Sequence, residues 1–501
     1  MPRHLQRSVA IRACLASAGG GAICALAFPP LGLSFAMVLG LSPLLYFSRR
    51  ISLPIALIAA YLCFVTEILV ACRWIYEGAA GVMGPQYYGV AILAAVVKAV
   101  PYVFAAGILN VVSRRAGAAW PLLAGTVFAL AEVVVSNGDH ALAFAGPSLS
   151  ASHSVAAQLL VPYFGAPFLT FVLVAGTARC CETIFSERPW NLSFAIASLS
   201  VALCCVPWRQ AELQMPGRMV TVLFKSDYVA AKAASEVMSR RDDVLIVMPE
   251  DAMVYHSRSE MSVDFAALRR IATARRATVV AGLSGFDGAA LRNQAAIITP
   301  GGAISLYTKQ RLIPFAEYVP YRPLFEHIFP IVRELSDFQR GDSFLEQRLD
   351  PANVLLRPLL CYEGVLSSSF RSLPADSVVV ELTDDSWFKS SFGALQQLDA
   401  LEMRALENGV PIIVASRTGP SGVIDRFGSF EGANDGLATL SIHPRRRTLY
   451  ARFGDTAAFL AIGCTMICCY IALLYPYRRG AGRTSPHVAV AHARVQDAAG
   501  P

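Results

Sequence analysis

Charge is scarce in this chain, and that scarcity is the first constraint on what it can be. Of 501 residues 16% are charged and 55% hydrophobic, and the mean hydropathy is +0.48. Soluble globular chains carry roughly 25% charged residues, which excludes an ordinary soluble protein. Metal-ligand spacing is also lacking. The eight histidines (4, 140, 153, 256, 327, 443, 487 and 492) form no ligand pattern, and His256 and His327 read as surface or loop residues. No glycine loop cradles a phosphate, because Gly282–Gly288 has neither the spacing nor the strand-to-helix context. Neither a metal nor a cofactor is expected. The net charge of +7 does not point to nucleic acid, because arginine pairs recur at the ends of apolar segments, where topology signals sit.

Cysteine is nearly missing from one long stretch. Eleven of the twelve lie in apolar, membrane-like segments: Cys14, Cys24, Cys63, Cys72, Cys180, Cys181, Cys204, Cys205, Cys464, Cys468 and Cys469. Between Met215 and Asp455 there is only Cys361. A lone thiol cannot close a disulfide within its domain, so it is either a small buried hydrophobe or a nucleophile.

The apolar residues concentrate at the two ends. Segments lie at about 9–28, 34–48, 53–72, 88–112, 119–136, 163–180 and 191–208, with another at about 455–475. Most approach the ~20 residues that cross a bilayer, although 34–48 is short. Phe28-Pro29-Pro30 stands where a signal peptide would carry small residues, so the first segment reads as a retained anchor. The expected organisation is a transmembrane part of about seven spans over 1–210, a soluble domain over 215–450, a C-terminal span over 455–475 and a disordered basic tail over 478–501. Arg49-Arg50, Arg114-Arg115, Arg179 and Arg188 fall on one side with the N-terminus and the tail arginines, whereas the connectors 29–33 and 137–160 have no Lys or Arg and 73–87 has only Arg73. The positive-inside rule places both termini in the cytoplasm and the soluble domain on the outer face. Glu67, Lys98 and Glu132 sit inside spans. They are either a structural ion pairing or the lining of a polar pocket beneath the soluble domain.

The soluble domain alternates strand-like and helix-like stretches. Strands are expected at Met219–Phe224, Val244–Met248, Thr278–Leu283, Ala295–Thr299, Ile304–Tyr307, Val354–Leu360, Ser377–Leu382, Pro411–Ala415, Gly422–Asp425 and Leu437–Ile442. Helices are expected at about 229–240, 261–275 and 394–408, giving a layered α/β domain with two sheets. Three strand ends carry chemistry: Glu250 follows Val244–Pro249, Lys309 follows Ser305–Thr308, and Cys361 follows Val354–Leu360. A base, a cation and a thiol are the parts required for covalent acyl transfer.

Pro249-Glu250, Tyr307-Thr308-Lys309 and Cys361-Tyr362-Glu363 together resemble the nitrilase superfamily. More narrowly, Phe28-Pro-Pro-Leu-Gly32, the block Arg311–Pro320, Thr383–Phe388 and Met403–Glu407 are similar to the bacterial apolipoprotein N-acyltransferase family, over nearly the whole chain. The resemblance implies a polytopic helical membrane domain joined to an αββα, nitrilase-like extracytoplasmic domain in the inner membrane. It implies catalysis by Glu250 as base, Lys309 with the Tyr362 backbone N–H at the oxyanion, and Cys361 as nucleophile, with Glu317, Tyr362, Glu363 and Trp387 supporting the site. The implied acyl donor is a membrane phospholipid, most simply phosphatidylethanolamine, and the acceptor is a diacylglyceryl apolipoprotein. This sequence departs from the family pattern at Met248, Asp384, Lys389, Gln397 and Thr418. A membrane-tethered amidase, or a conjugal-transfer paralogue with another acceptor, are the alternatives.

Overall fold

The computed structural model describes residues 3–84, 88–138, 141–185, 191–208, 218–224, 244–287, 290–328, 333, 337–349, 352–374, 376–388, 391–434, 436–442 and 447–480. The first part is a bundle of apolar helices: α1 (Arg3–Ala25), α2 (Ser34–Ser48), α3 (Leu53–Ala71), α4 (Arg73–Met83), α5 (Tyr88–Ala116), α6 (Trp120–Ser136), α7 (Val155–Phe185) and α8 (Leu192–Cys205). Among the described residues five helices are long and apolar enough to cross a membrane, namely those over Gln6–Ala25, Leu53–Ala71, Ile92–Ser113, Gly117–Ser136 and Val155–Ile184. Three apolar helices are shorter: Ser34–Ser48, Leu192–Cys205 and the stretch Asp455–Cys468. In apolar surroundings helices associate by close backbone contact rather than by hydrophobic exclusion. Here Gly20 of α1 lies against the Gly40 backbone of α2, and Gly21 against the Cys63 backbone of α3, where any Cβ would collide.

The second part is a sandwich of two six-stranded sheets. One has the order β12-β1-β2-β3-β4-β5 and the other β11-β10-β9-β8-β7-β6. The first sheet contains β1 (Arg218–Phe224), β2 (Val244–Tyr255), β3 (Thr278–Asp287), β4 (Ala290–Ile298), β5 (Ile304–Thr308) and β12 (Leu437–Ile442); the second contains β6 (Gln347–Leu349), β7 (Val354–Leu360), β8 (Ser377–Thr383), β9 (Ile412–Ser416), β10 (Gly422–Ile424) and β11 (Phe430–Gly432). At the centre of each sheet three neighbours run parallel, β1-β2-β3 and β7-β8-β9. Parallel strands covered on both faces read as continuous apolar runs, and all seven residues of β8 are buried. Val222, Val247 and Ile297 meet Leu356, Val380 and Ile413 between the sheets.

Helices close the outer faces: α9 (Arg258–Arg275) on the first sheet, followed in the chain by α10 (Arg322–Ile328), α11 (Tyr362–Val365) and α12 (Ser391–Asn408). Ser257 caps α9 by accepting the Glu260 N–H, and Leu268, Ile271 and Ala272 cover Ile246, Met248 and Val279. The helix α12 lies on the second sheet through Leu398, Leu401 and Ala405. Its opposite face, Ala394, Ala400, Met403 and Leu406, enters the core formed by the membrane helices. The chain closes with α13 (Leu449–Phe453) and α14 (Asp455–Gly480).

The helix α7 breaks at Gly165 (φ 75°, ψ 176°), between Pro162 and Pro167. A break frees backbone groups that apolar surroundings cannot satisfy. The Ala166 N–H is received by Glu407 Oε1 of α12 at 2.9 Å, and Arg404 Nη1 holds the other carboxylate oxygen at 2.9 Å.

The two short edge strands β6 and β11 carry no apolar run of their own and escape a reading by pattern, while β2, β3 and β4 run longer than their apolar cores. The last helix extends to Gly480, past the expected end at 475. The expected helix at 229–240, Lys389 and residues 481–501 of the tail lie outside the described residues.

Because Glu407 is fully buried, its removal strands both the Arg404 charge and the Ala166 N–H. Glu407→Ala should destabilise the full chain by about 3–5 kcal/mol, and Glu407→Gln, which keeps a carbonyl acceptor, by less. Thermal unfolding of both variants in detergent measures this ordering.

Candidate active site

The site is built where strand ends of the two sheets meet. After Met248 the pairing of β2 with β3 slips and resumes at Met253, so Glu250 and Asp251 sit on a bulge. Bulges re-aim side chains at sheet ends, and Asp251 adopts φ 53° there. Cys361 ends β7 at φ 50°, ψ −106°, outside the regions ordinarily open to an L-residue. Its N–H is committed to Leu382 O at 2.8 Å, which holds the turn into α11.

Lys309 lies at the end of β5 and is 1% exposed. Its Nζ is 2.7 Å from Glu317 Oε1 and 3.2 Å from Glu250 Oε1. Burial works against its charge, but Glu250 and Glu317 outweigh that and raise its pKa well above the usual lysine value. Asn293 on β4 donates from Nδ2 to Glu250 Oε1 at 2.7 Å and Glu317 Oε1 at 3.3 Å. The other oxygen of Glu250 accepts the Asp384 N–H at 3.1 Å, and the other oxygen of Glu317 accepts the Ile313 N–H at 2.8 Å. Both carboxylates are therefore held at each oxygen. Burial pushes the Cys361 thiol well up; the Glu250 charge adds to this and Lys309 counters it. The resting group is therefore the thiol.

Glu363 acts beneath the pocket. It is fully buried and accepts hydrogen bonds from the Tyr307 hydroxyl and from the backbone N–H groups of Gln310, Arg311 and Leu360, at 2.8–3.0 Å. One carboxylate thus locks the segment after Lys309 to the strand that ends in Cys361. Tyr362 donates its hydroxyl to Ala141 O, reaching the membrane part. Trp387 is 41% exposed at the pocket wall, and its carbonyl packs on α4 at Gly78, where a Cβ would clash.

A cavity of about 300 Å³ joins these groups. Glu250, Asn293, Lys309, Glu317, Cys361 and Trp387 line it from the sandwich; Trp74, Ile75, Ala94, Ala141, Leu142 and Phe144 line it from the membrane part. The reactive groups therefore face an apolar wall that the helices supply. Such an arrangement can take a carbonyl attached to a long apolar group and transfer it through sulfur.

All seven expected site residues occur here, with Glu363 packed below the cavity. Of the departures, Met248 is buried under α9, away from the cavity, and Thr418 is exposed. Asp384 and Gln397 do line the cavity: Asp384 Oδ2 is 3.4 Å from Arg417, and Gln397 donates to Thr383 Oγ1 at 3.2 Å and Cys361 O at 3.5 Å. Glu67, Lys98 and Glu132 are buried, and none of them lines this cavity. Glu132 instead accepts from Ser148 and Thr170 within the bundle. Sequence reading missed Asn293. Its signal is faint, a buried polar residue between Arg292 and Gln294 in the polar first half of β4, and it shows only once β4 is known to start at Ala290.

Residues 209–447 match the family model described as carbon-nitrogen hydrolase, and residues 20–178 the one described as apolipoprotein N-acyltransferase N-terminal domain. The apolipoprotein N-acyltransferase of Nitrosomonas europaea is 28% identical over 381 residues, covering 70% of this chain and 75% of that one. That of Methylococcus capsulatus is 30% identical over 45% of this chain and 46% of its own, and that of Pseudomonas paraeruginosa 32% over 38% of each. This chain thus spans three quarters of the first relative and less than half of the other two. A CN-hydrolase superfamily protein of Xanthomonas campestris, 18% identical, aligns with 46% of this chain and 91% of its own at a TM-score of 0.35. Fold, site and family models together define a membrane-bound protein of the nitrilase superfamily, with several helices able to cross a bilayer. The chain belongs to the apolipoprotein N-acyltransferase family.

Burial and the neighbouring Glu250 charge push Asp251 up to about 6 from the ordinary 3.8. Folding then favours the protonated acid. The associated stability is full below the ordinary value and is lost as pH rises through about 6. Asp251→Asn should remove that decline, which thermal unfolding of both proteins across this range will detect.

Proposed function

We propose that this protein is a phospholipid-dependent N-acyltransferase that acylates the N-terminal amine of diacylglyceryl-cysteine lipoproteins through a thioester on Cys361. The observation that carries the reading is the shared cavity: Cys361, Glu250 and Lys309 on one side, apolar helix residues on the other.

In the first half-reaction Glu250 accepts the thiol proton as sulfur attacks an ester carbonyl of the phospholipid. The oxyanion is met by the Lys309 ammonium and the Tyr362 backbone N–H, the Cys361 N–H being already bonded to Leu382 O. Collapse breaks the ester C–O bond, Glu250 returns the proton to the departing alkoxide, and a lysophospholipid leaves. In the second half-reaction the lipoprotein amine attacks the thioester and Glu250 takes its proton. The C–S bond breaks, the thiolate regains a proton, and an amide remains. Glu317 and Asn293 hold Lys309 and Glu250 in register, while Glu363 fixes the loop that carries Lys309.

Phosphatidylethanolamine is the proposed donor. The arginine bias of the connectors supports eight crossings, with both termini in the cytoplasm and the sandwich on the periplasmic face of the inner membrane. Such an orientation presents the cavity to the outer leaflet, where both lipid substrates reside.

Intact-mass spectrometry after incubation with phosphatidylethanolamine should show one acyl adduct, discharged by a diacylglyceryl-cysteine peptide. Cys361→Ala should form no adduct, and Glu250→Gln should slow its formation roughly 10²–10⁴-fold. Discharge by water alone would favour a hydrolase, and a Cys361→Ala protein that still N-acylates would overturn the mechanism.

A further inference from the structure

A second cavity, of about 310 Å³, lies among Leu45, Tyr46, Arg49, Arg50, Trp120 and Cys181, with Glu182 at its edge. It sits at the opposite end of the helices from the reactive cavity. Ala71, the last residue of the 19-residue α3, accepts a hydrogen bond from Gln396 of the sandwich, whereas Arg49 and Arg50 precede the first turn of that helix. Trp120 begins the 17-residue α6, whose far end leads to Asn137, a partner of Arg371 in the sandwich. At 1.5 Å per residue these helices separate the two cavities by about 25 Å.

The second cavity is built for an anion. The guanidiniums of Arg49 and Arg179 flank one carboxylate, Glu182, at 2.7 Å and 3.6 Å, and Arg50 lines the same cavity with its Nη1 donating to Tyr46 O at 2.8 Å. The turn that carries the two arginines is pinned by Asn110 Nδ2, which donates to Ser48 O at 2.5 Å and Ile51 O at 3.1 Å. Aromatic faces orient the charges: Arg49 lies over the Trp120 ring at 5.5 Å and Arg50 over the Tyr46 ring at 3.9 Å. An independent feature points to a ligand. Trp120 is 1% exposed and lines the cavity, yet its indole N–H finds no acceptor among the described residues. A buried donor without an acceptor is costly, and an anionic oxygen in the cavity would supply one.

The geometry points to a site for a phosphate-bearing head group, taken from an anionic phospholipid of the leaflet opposite the reactive cavity. Basic pockets between membrane helices recognise such head groups, and arginine with an indole N–H offers donors suited to phosphate oxygens. A lipid held there would tie α2, α6 and α7 together at the end remote from the chemistry.

The test is native mass spectrometry of the full chain in detergent containing equimolar phosphatidylglycerol and phosphatidylcholine. The wild type should retain phosphatidylglycerol with at least a tenfold preference. Arg50→Gln and Trp120→Phe should each reduce that retention at least threefold; both spare the Arg49–Glu182 pair, whose loss could impair folding. Lipid held in the reactive cavity lies too far away to respond to either change. Equal retention of the two lipids by the wild type, or unchanged retention in both variants, would overturn the proposal. Displacement of phosphatidylglycerol by equimolar glycerol 3-phosphate would assign the site to a soluble phosphate ester and overturn the lipid source.

Discussion

A buried ammonium must be matched by charge, and the position of Lys309 imposes that condition on the whole site. Glu250 and Glu317 supply the match. Each is drawn from a different element: a bulge in β2 and the loop after β5. Asn293 on β4 donates to both carboxylates, so three strands and a loop converge on one nitrogen. The consequence reaches Cys361. Burial, and after it the Glu250 charge, hold the thiol well above its ordinary pKa, with Lys309 working the other way.

Much of this was legible in the sequence because parallel strands buried on both faces leave unmistakable apolar runs. Val354–Leu360, a parallel strand of the second sheet, has the boundaries its apolar pattern predicts. Glu250, Lys309 and Cys361 stood out because each follows such a run directly. What stayed hidden depends on tertiary pairing. Asn293 acquires meaning only from the antiparallel register of β4 with β5, which sets it near Lys309. The edge strands β6 and β11 are three residues each, too short to show a period. The apolar wall of the cavity comes from Trp74, Ala141 and Phe144, residues that no local pattern distinguishes from other membrane-segment neighbours.

Family motifs far from the sulfur also gain a physical role. Met403 through Glu407 is not part of the reactive cavity. Met403 packs into the membrane bundle, and Arg404 and Glu407 form the pair that receives the N–H freed at the break in α7. Gln396, one turn into the same helix, donates to Ala71 O and accepts from the Trp74 indole at 3.0 Å. The polar residues of α12 therefore terminate irregular backbone in the membrane part, as helices in apolar surroundings require of their neighbours.

That helix belongs to two cores at once. With Leu398, Leu401 and Ala405 against a sheet and Ala400, Met403 and Leu406 against the bundle, α12 has no face intended for water. The boundary between the two parts therefore has the character of an obligate subunit interface, a core cut in half. Severed from its helices, the sandwich would present that stripe as an adhesive patch. The folding unit spans both parts, and the sandwich is not a portable domain.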